Sequence, residues 1–151
     1  MLYAIVDIET TGGYAAANGI TEIAVFITDG ENILSHFHTL LNPVYTIPKY
    51  VEALTGITNE MVEFERPFRS IADELFQLLH DKIFVAHNVN FDYSFIKYHF
   101  SQSGYDLNCK KLCTIRLGRQ ILPGIPGYGL GKICKHLGIT IRDRHRASGD
   151  A

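Results

Sequence analysis

Residues 2–12 read LYAIVDIETTG. The run 2–8 has the aliphatic and β-branched make-up of a buried strand, yet Asp7 and Glu9 stand near its end, two positions apart. Side chains i and i+2 of a strand point to the same side, so the two carboxylates converge. They do so at the C-terminal end, where open α/β sheets place ligands. Burying unpaired carboxylates costs several kcal/mol each, and the first 48 residues contain no lysine or arginine to offset this. The pair is therefore a solvated strand end, the partner of an arginine from elsewhere in the fold, or a ligand pair for a divalent cation. Oxygen-only ligands suit Mg²⁺ or Mn²⁺ rather than zinc.

The chain downstream continues in strands. Gly12-Gly13 breaks the first, residues 21–28 form a second rich in Ile, Val and Phe, Asp29-Gly30 is a hairpin signal, and residues 32–41 form a third, ended by Asn42-Pro43. Short links between three strands imply an antiparallel meander. A short helix starts at Pro48 and closes in LTGIT (54–58). Phe68, Ile71, Leu75, Leu78 and Leu79 recur at helical spacing, predicting an amphipathic helix over 67–80. A buried strand follows at 83–86, then a helix from Phe91 to about Gly104, a helix over 112–122 stopped by Pro123, and a helix over 130–137 capped by Gly138. Gly127, Gly129 and Gly131 lack the spacing and the preceding strand of a dinucleotide fingerprint. Strands followed by alternating helices and a strand make an α/β domain with a mixed sheet.

Two further stretches carry chemistry. In FVAHNVNFD (84–92) a buried strand delivers His87-Asn88-Val89-Asn90 and then Asp92 in the first turn of a helix. Asp92 either favours the helix dipole or, beside a metal, is a third oxygen ligand. In RHRASGDA (144–151) His145 falls on a loop and Asp150 near a helix start. A lone histidine is often structural, but its ordinary pKa also suits it to take a proton from water.

Bulk properties bound the rest. A chain of 151 residues, 46% apolar and 20% charged, fits one globular domain. No apolar run approaches the roughly 20 residues of a membrane span, and the N-terminus lacks a signal-peptide layout, so the expectation is a cytoplasmic protein with no membrane association. Cys109, Cys113 and Cys134 have no paired spacing and read as reduced thiols rather than a disulfide frame or zinc site. Residues 1–96 carry 4 Lys/Arg against 13 Asp/Glu, and residues 97–151 carry 10 against 3. Two differently solvated surfaces would explain this. So would a basic wall beside an acidic pocket, which suits a phosphate-bearing polymer whose reacting end is held by metal ions.

Together Asp7-Ile8-Glu9-Thr10-Thr11-Gly12, His87-Asn88-Val89-Asn90-Phe91-Asp92 and His145-Arg146-Ala147-Ser148-Gly149-Asp150-Ala151 resemble the three motifs of the DEDD exonuclease superfamily, histidine subclass (DEDDh). Order, residue types and separations match from residue 7 to the last, and the proofreading epsilon subunit of bacterial DNA polymerase III is similar. The resemblance implies a ribonuclease-H-like fold, a mixed five-stranded sheet flanked by helices. It also implies 3′→5′ hydrolysis of single-stranded ends to nucleoside 5′-monophosphates with two divalent cations, Mg²⁺ or Mn²⁺. Carried over by position, Asp7 bridges both metals, Glu9 and Asp150 complete the site that activates water, Asp92 serves the second metal, and His145 is the base. Thr10, Thr11 and Gly12 lie under the terminal nucleotide, Leu54 and Thr55 flank the last base, and His87, Asn88 and Phe91 belong to the pocket. The family continues past the final Asp as a helix packed on the sheet, whereas residue 151 is the last here. The expectation is thus one exonuclease domain over 1–151, shortened at its C-terminus, with Asp150 and His145 poorly placed and metal binding weak. Implied partners are single-stranded 3′ ends, DNA ahead of RNA, and a DNA polymerase. The rivals are an exoribonuclease, distinguished by a contact to the 2′-hydroxyl, and a non-cutting accessory module of a polymerase.

Overall fold

A computed structural model describes residues 1–151. Five strands form one sheet in the order β3-β2-β1-β4-β5. β1 (Tyr3–Thr10), β2 (Ile20–Thr28) and β3 (Ile33–Leu40) are antiparallel neighbours; β4 (Ile83–Ala86) joins β1 in parallel and β5 (Lys111–Cys113) joins β4 in parallel. The mixed α/β architecture and the meander are as the sequence implies. β5 corrects one boundary, since residues 111–113 are strand and the helix expected from 112 begins at Thr114. Three residues are too few to show a period of two, and only their pairing along β4, Phe84 with Lys111 to Ala86 with Cys113, makes them a strand.

Burial alternates along β1. Ala4, Val6 and Ile8 enter a cluster of 21 buried residues with α3 (Phe68–Leu79) and α4 (Val89–Gln102), which supply Phe68, Ile71, Leu75, Leu79, Phe95, Ile96 and Phe100. Pro67 caps α3 with its own φ of −72°, a natural place for a residue that lacks an N–H. Ile5, Asp7 and Glu9 take the other face. There Ile5 meets α5 (Thr114–Ile121) and α6 (Leu130–Leu137) across a cavity, and α7 (Ala147–Asp150) packs on β1 and β2.

α1 (Lys49–Thr55) ends on Gly56, whose φ of +72° favours a residue without Cβ. α2 (Asn59–Val62), absent from the sequence reading, follows because Thr58 accepts a hydrogen bond from the Met61 N–H and so caps a second helix. No helix is long and apolar enough to cross a membrane.

Candidate active site

The strand end delivers Asp7 and Glu9 to one face, and α7 brings Asp150 to them. One carboxylate oxygen from each of the three lies within 4.8 Å of the others. Asp92, in the first turn of α4 and 3% exposed, stands outside that trio, yet its negative charge acts on both Asp7 and Glu9. Burial first, then the neighbouring carboxylates Asp92, Glu9, Asp150 and Glu22, push Asp7 up to about 9. Burial and then Asp150, Glu22 and Asp92 push Glu9 up to about 8, with Arg146 opposing. Burial pushes Asp92 up to about 7 against the nearby backbone amides of Asp92 and Ile8. Asp150 Oδ2 accepts the His145 N–H at 3.1 Å, while its Oδ1 is buried without a partner. Crowded acids, proton affinities raised by burial and, for Asp7 and Glu9, by neighbouring carboxylates, and an orphaned carboxylate oxygen suit a cation-binding donor set. Asp7, Glu9 and Asp150 fit a hard divalent cation.

His145 precedes the Arg146 N-cap of α7 and has φ +63°, a left-handed conformation uncommon for a residue with Cβ. The structure brings it to the trio through its backbone, by the bond to Asp150. Asp150 thus reaches the strand acids, and the His145 backbone is tied to Asp150. A contact from β2 holds the segment.

That contact is absent from the sequence reading. Glu22 lies directly opposite Glu9 across the β1–β2 ladder and is fully buried. Opposed residues share a face, and like charges there repel. Arg146 answers with Nε at 3.0 Å from Oε2 and Nη2 at 2.7 Å from Oε1; the Ala147 N–H donates to Oε2 at 2.8 Å, and His38 Nε2 lies 2.8 Å from Oε1. The remote arginine considered for Asp7 and Glu9 exists, but its partner is Glu22. A glutamate inside the apolar run ITEIAVFI (20–27) was the available signal.

The nucleotide-facing candidates divide between exposed groups and groups already engaged. Thr10 Oγ1 donates to the Gly12 carbonyl at 2.8 Å; Thr11 Oγ1 donates to Asn18 Oδ1 at 3.0 Å and accepts the Gly19 N–H at 3.1 Å. A Cβ on Gly12 would stand 2.3 Å from Asn18 Oδ1, so a side chain there would displace the amide that accepts from Thr11. Leu54 is exposed at the end of α1. Thr55 is buried, donating to the Val51 carbonyl and accepting the Ile57 N–H, and so shapes the turn. His87 Nδ1 lies 2.9 Å from Thr114 Oγ1, and its buried Nε2 has no partner. Asn88, exposed at φ +65°, begins α4, and Phe91 packs on Phe95 with ring centres 5.0 Å apart.

Known proteins resemble this chain in sequence and in fold. The profile of the RNase_T family, described as Exonuclease, matches residues 4–151. The 3′–5′ exonuclease DinG of Bacillus subtilis (strain 168) is 40% identical over 151 residues, 99% of this chain and 16% of that protein. The 3′–5′ exonuclease DinG of Staphylococcus haemolyticus (strain JCSC1435) is 35% identical over 150 residues, 99% of this chain and 17% of that one. The chain thus spans about one sixth of the length of these relatives. Among solved structures, E. coli exonuclease I in complex with a dT13 oligonucleotide superposes with a TM-score of 0.87 at 20% identity, over 99% of this chain and 38% of that one. Exonuclease X in complex with 5′-overhanging duplex DNA gives 0.76 at 24% identity, over 98% and 83%. With the profile covering nearly its whole length, the chain belongs to the RNase_T exonuclease family, in the DEDD superfamily.

Proposed function

We propose that the protein is a 3′→5′ exonuclease that shortens single-stranded DNA to nucleoside 5′-monophosphates. The observation that carries this is the convergence of Asp7, Glu9 and Asp150 within 4.8 Å, with Asp92 near enough for its charge to act on Asp7 and with Asp150 tied to the His145 backbone. Asp7, Glu9, Asp150 and Asp92 would hold two divalent cations, Mg²⁺ or Mn²⁺. These supply Lewis acidity toward water and the leaving oxygen. An imidazole nitrogen of His145 takes the proton of the attacking water. The exposed Leu54 and Asn88 and the ring of Phe91 bear on the terminal nucleotide. Thr10, Thr11, Gly12, Thr55 and His87 shape the floor around it through the bonds described above.

Charge supports a polyanionic substrate. Lys110, Lys111, Arg116, Arg119, Lys132, Lys135, Arg142 and Arg144 form no ion pair within the fold. Three of them, Arg144, Lys132 and Arg119, lie along connected segments. Arg144 precedes His145 and approaches Gly131 of α6, where a Cβ would stand 3.3 Å from its guanidinium; Lys132 reaches the Pro126 carbonyl at 3.5 Å; Arg119 stands over the Tyr128 ring at 5.7 Å. Cations therefore run from the His145 loop across α6 to α5, a surface for a phosphate backbone. DNA is preferred over RNA because the similar proteins are named 3′–5′ exonuclease DinG, and exonuclease I was solved with a dT13 oligonucleotide. Three unpaired cysteines suit a cytoplasmic setting.

The test is cleavage of 5′-labelled single-stranded DNA and RNA of one sequence in Mg²⁺ and in Mn²⁺, with Asp7→Asn as control. A ladder shrinking from the 3′ end, lost in the variant and faster on DNA, is the expected result. Faster loss of RNA would make the protein an exoribonuclease. A folded protein that cuts neither would be an accessory module, such as one docked on a DNA polymerase.

A further inference from the structure

Glu22 has no place in the chemistry above, yet it is the most heavily engaged side chain near the site. It is a carboxylate with 0% exposure in the centre of the sheet, and all of its partners come from outside its own strand. Arg146 meets it through two nitrogens, Ala147 through its N–H, and His38 from β3. Burial pushes its proton affinity up, but the hydrogen bonds from Arg146, His38 and Ala147 outweigh burial and hold the carboxyl below its ordinary range. The anion is therefore the form built into the fold.

A buried ion pair is an uneconomical way to gain stability, because apolar residues of similar volume often do as well or better; its best-attested use is to fix which segment docks and in which register. Here the docked segment is short. α7 has four residues, too few to hold itself as a helix. His145 lies one residue before Arg146, Asp150 lies three after Ala147, and the His145 N–H to Asp150 Oδ2 bond closes the intervening turn. Glu22 therefore grips the segment between its two functional ends. The same carboxylate stands opposite Glu9 on β1, which ties the segment's position to the strand that carries the other acids.

We propose that Glu22 is a positioning residue, whose clamp on Arg146 and Ala147 sets where Asp150 and His145 stand relative to Asp7 and Glu9. It touches neither cation nor substrate. This inference rests on the reading of Asp7, Glu9 and Asp150 as the cation-holding set.

The experiment compares wild type, Glu22→Gln, Arg146→Gln and the double variant. Three readouts are used: Mn²⁺ binding by electron paramagnetic resonance without nucleic acid, hydrogen exchange of peptides covering residues 142–151 and β1–β2, and steady-state cleavage. Arg146 has a side chain 32% exposed, so Arg146→Gln keeps the test open should Glu22→Gln fail to fold. Each single variant is expected to weaken Mn²⁺ binding by about tenfold, the range seen when groups that orient metal ligands are removed. Each should also speed exchange in 142–151 while β1–β2 stays protected. The loss in cleavage should fall on kcat, with KM within about twofold of wild type and a double variant no worse than the poorer single, because the two residues act as one unit. Wild-type Mn²⁺ affinity and exchange in both singles would overturn the proposal, and so would losses that multiply in the double or exchange that rises across the whole sheet. If wild type binds Mn²⁺ but cuts nothing, the exonuclease reading fails while the Mn²⁺ and exchange measurements still decide the role of Glu22.

Discussion

On one face of the sheet Ala4, Val6 and Ile8 join a cluster of 21 buried residues with α3 and α4. On the other face Ile5, Asp7 and Glu9 look toward α5, α6 and α7, and a cavity of about 290 Å³ remains between Ile5, Leu117, Ile121, Ile133 and Leu137. No residue beyond Leu107 belongs to the 21-residue cluster. One strand thus serves two purposes through its period of two. The face that holds the fold together is dry and tightly filled, whereas the face that gathers the acids is charged, cationic at its margin and incompletely filled. The core cluster and the Asp7, Glu9 and Asp150 trio lie on opposite sides of β1, so substitutions on the two faces should fail differently.

The largest effect is expected from Asp7→Asn. Cleavage should fall by about three orders of magnitude or more, since on the proposed function several kcal/mol of charge stabilisation depends on cations that Asp7 would hold. The metal-free fold should nevertheless melt higher than wild type, because a buried carboxylate repelled by its neighbours has become a neutral group of the same shape. Calorimetry in a chelator checks this, and a lower melting temperature would break the division between the faces.

Next in size is the contrast between Leu75→Ala and Leu117→Ala. Leu75 is fully buried in the main cluster and its truncation should cost about 2–5 kcal/mol. Leu117 borders the cavity and is 36% exposed, so its truncation should cost about 1 kcal/mol. Urea denaturation of both variants measures the difference; equal costs would show that the second face is as well packed as the first.

The metal-free protein should also respond to pH through its acids. Asp7, Glu9 and Asp92 are pushed up to about 9, 8 and 7, from ordinary values of 3.8, 4.5 and 3.8. The folded state therefore binds more protons than the unfolded state across that window, and stability is lost as pH rises through it. Glu22 works the other way: its carboxyl is held below 4.5, so its contribution is lost under more acidic conditions. Melting temperature in a chelator should climb as pH is lowered from about 9 toward about 5. Saturating Mg²⁺ should flatten that slope, and a slope unchanged by Mg²⁺ would argue that the acids do not share a cation.

The smallest effect belongs to the margin of the acidic face. Arg116→Ala and Arg119→Ala should each raise KM for a single-stranded oligonucleotide by about two- to fivefold at low salt and leave kcat unchanged, the signature of a phosphate contact. The difference from wild type should shrink as salt is added. An equal effect at high salt would place these arginines in the fold rather than on the substrate path.

Much of this was legible in the chain itself. Spacing of two within an apolar run put Asp7 and Glu9 on one face, periodicity marked α3, and Asn42-Pro43 and Gly138 marked ends; these signals are local, set by backbone geometry within a few residues. β5 and α2 escaped because three or four residues carry no period. Escaping for another reason, the ion pair of Glu22 with Arg146 joins positions 124 apart, and nothing local in either segment announces the other. The resemblance in three motifs named Asp150 and His145 without saying what would hold them.

By itself, then, the sequence determined the alternation that divides β1 between core and site, the set of acids with one histidine, and the basic balance of the last third. Each follows from residue type and short-range geometry. Only the tertiary structure decided that Asp150 reaches the strand acids and that Glu22 rather than Glu9 receives the arginine. Those outcomes depend on which distant segments share a face once the sheet is assembled, and contact between distant segments is settled by packing of the whole chain.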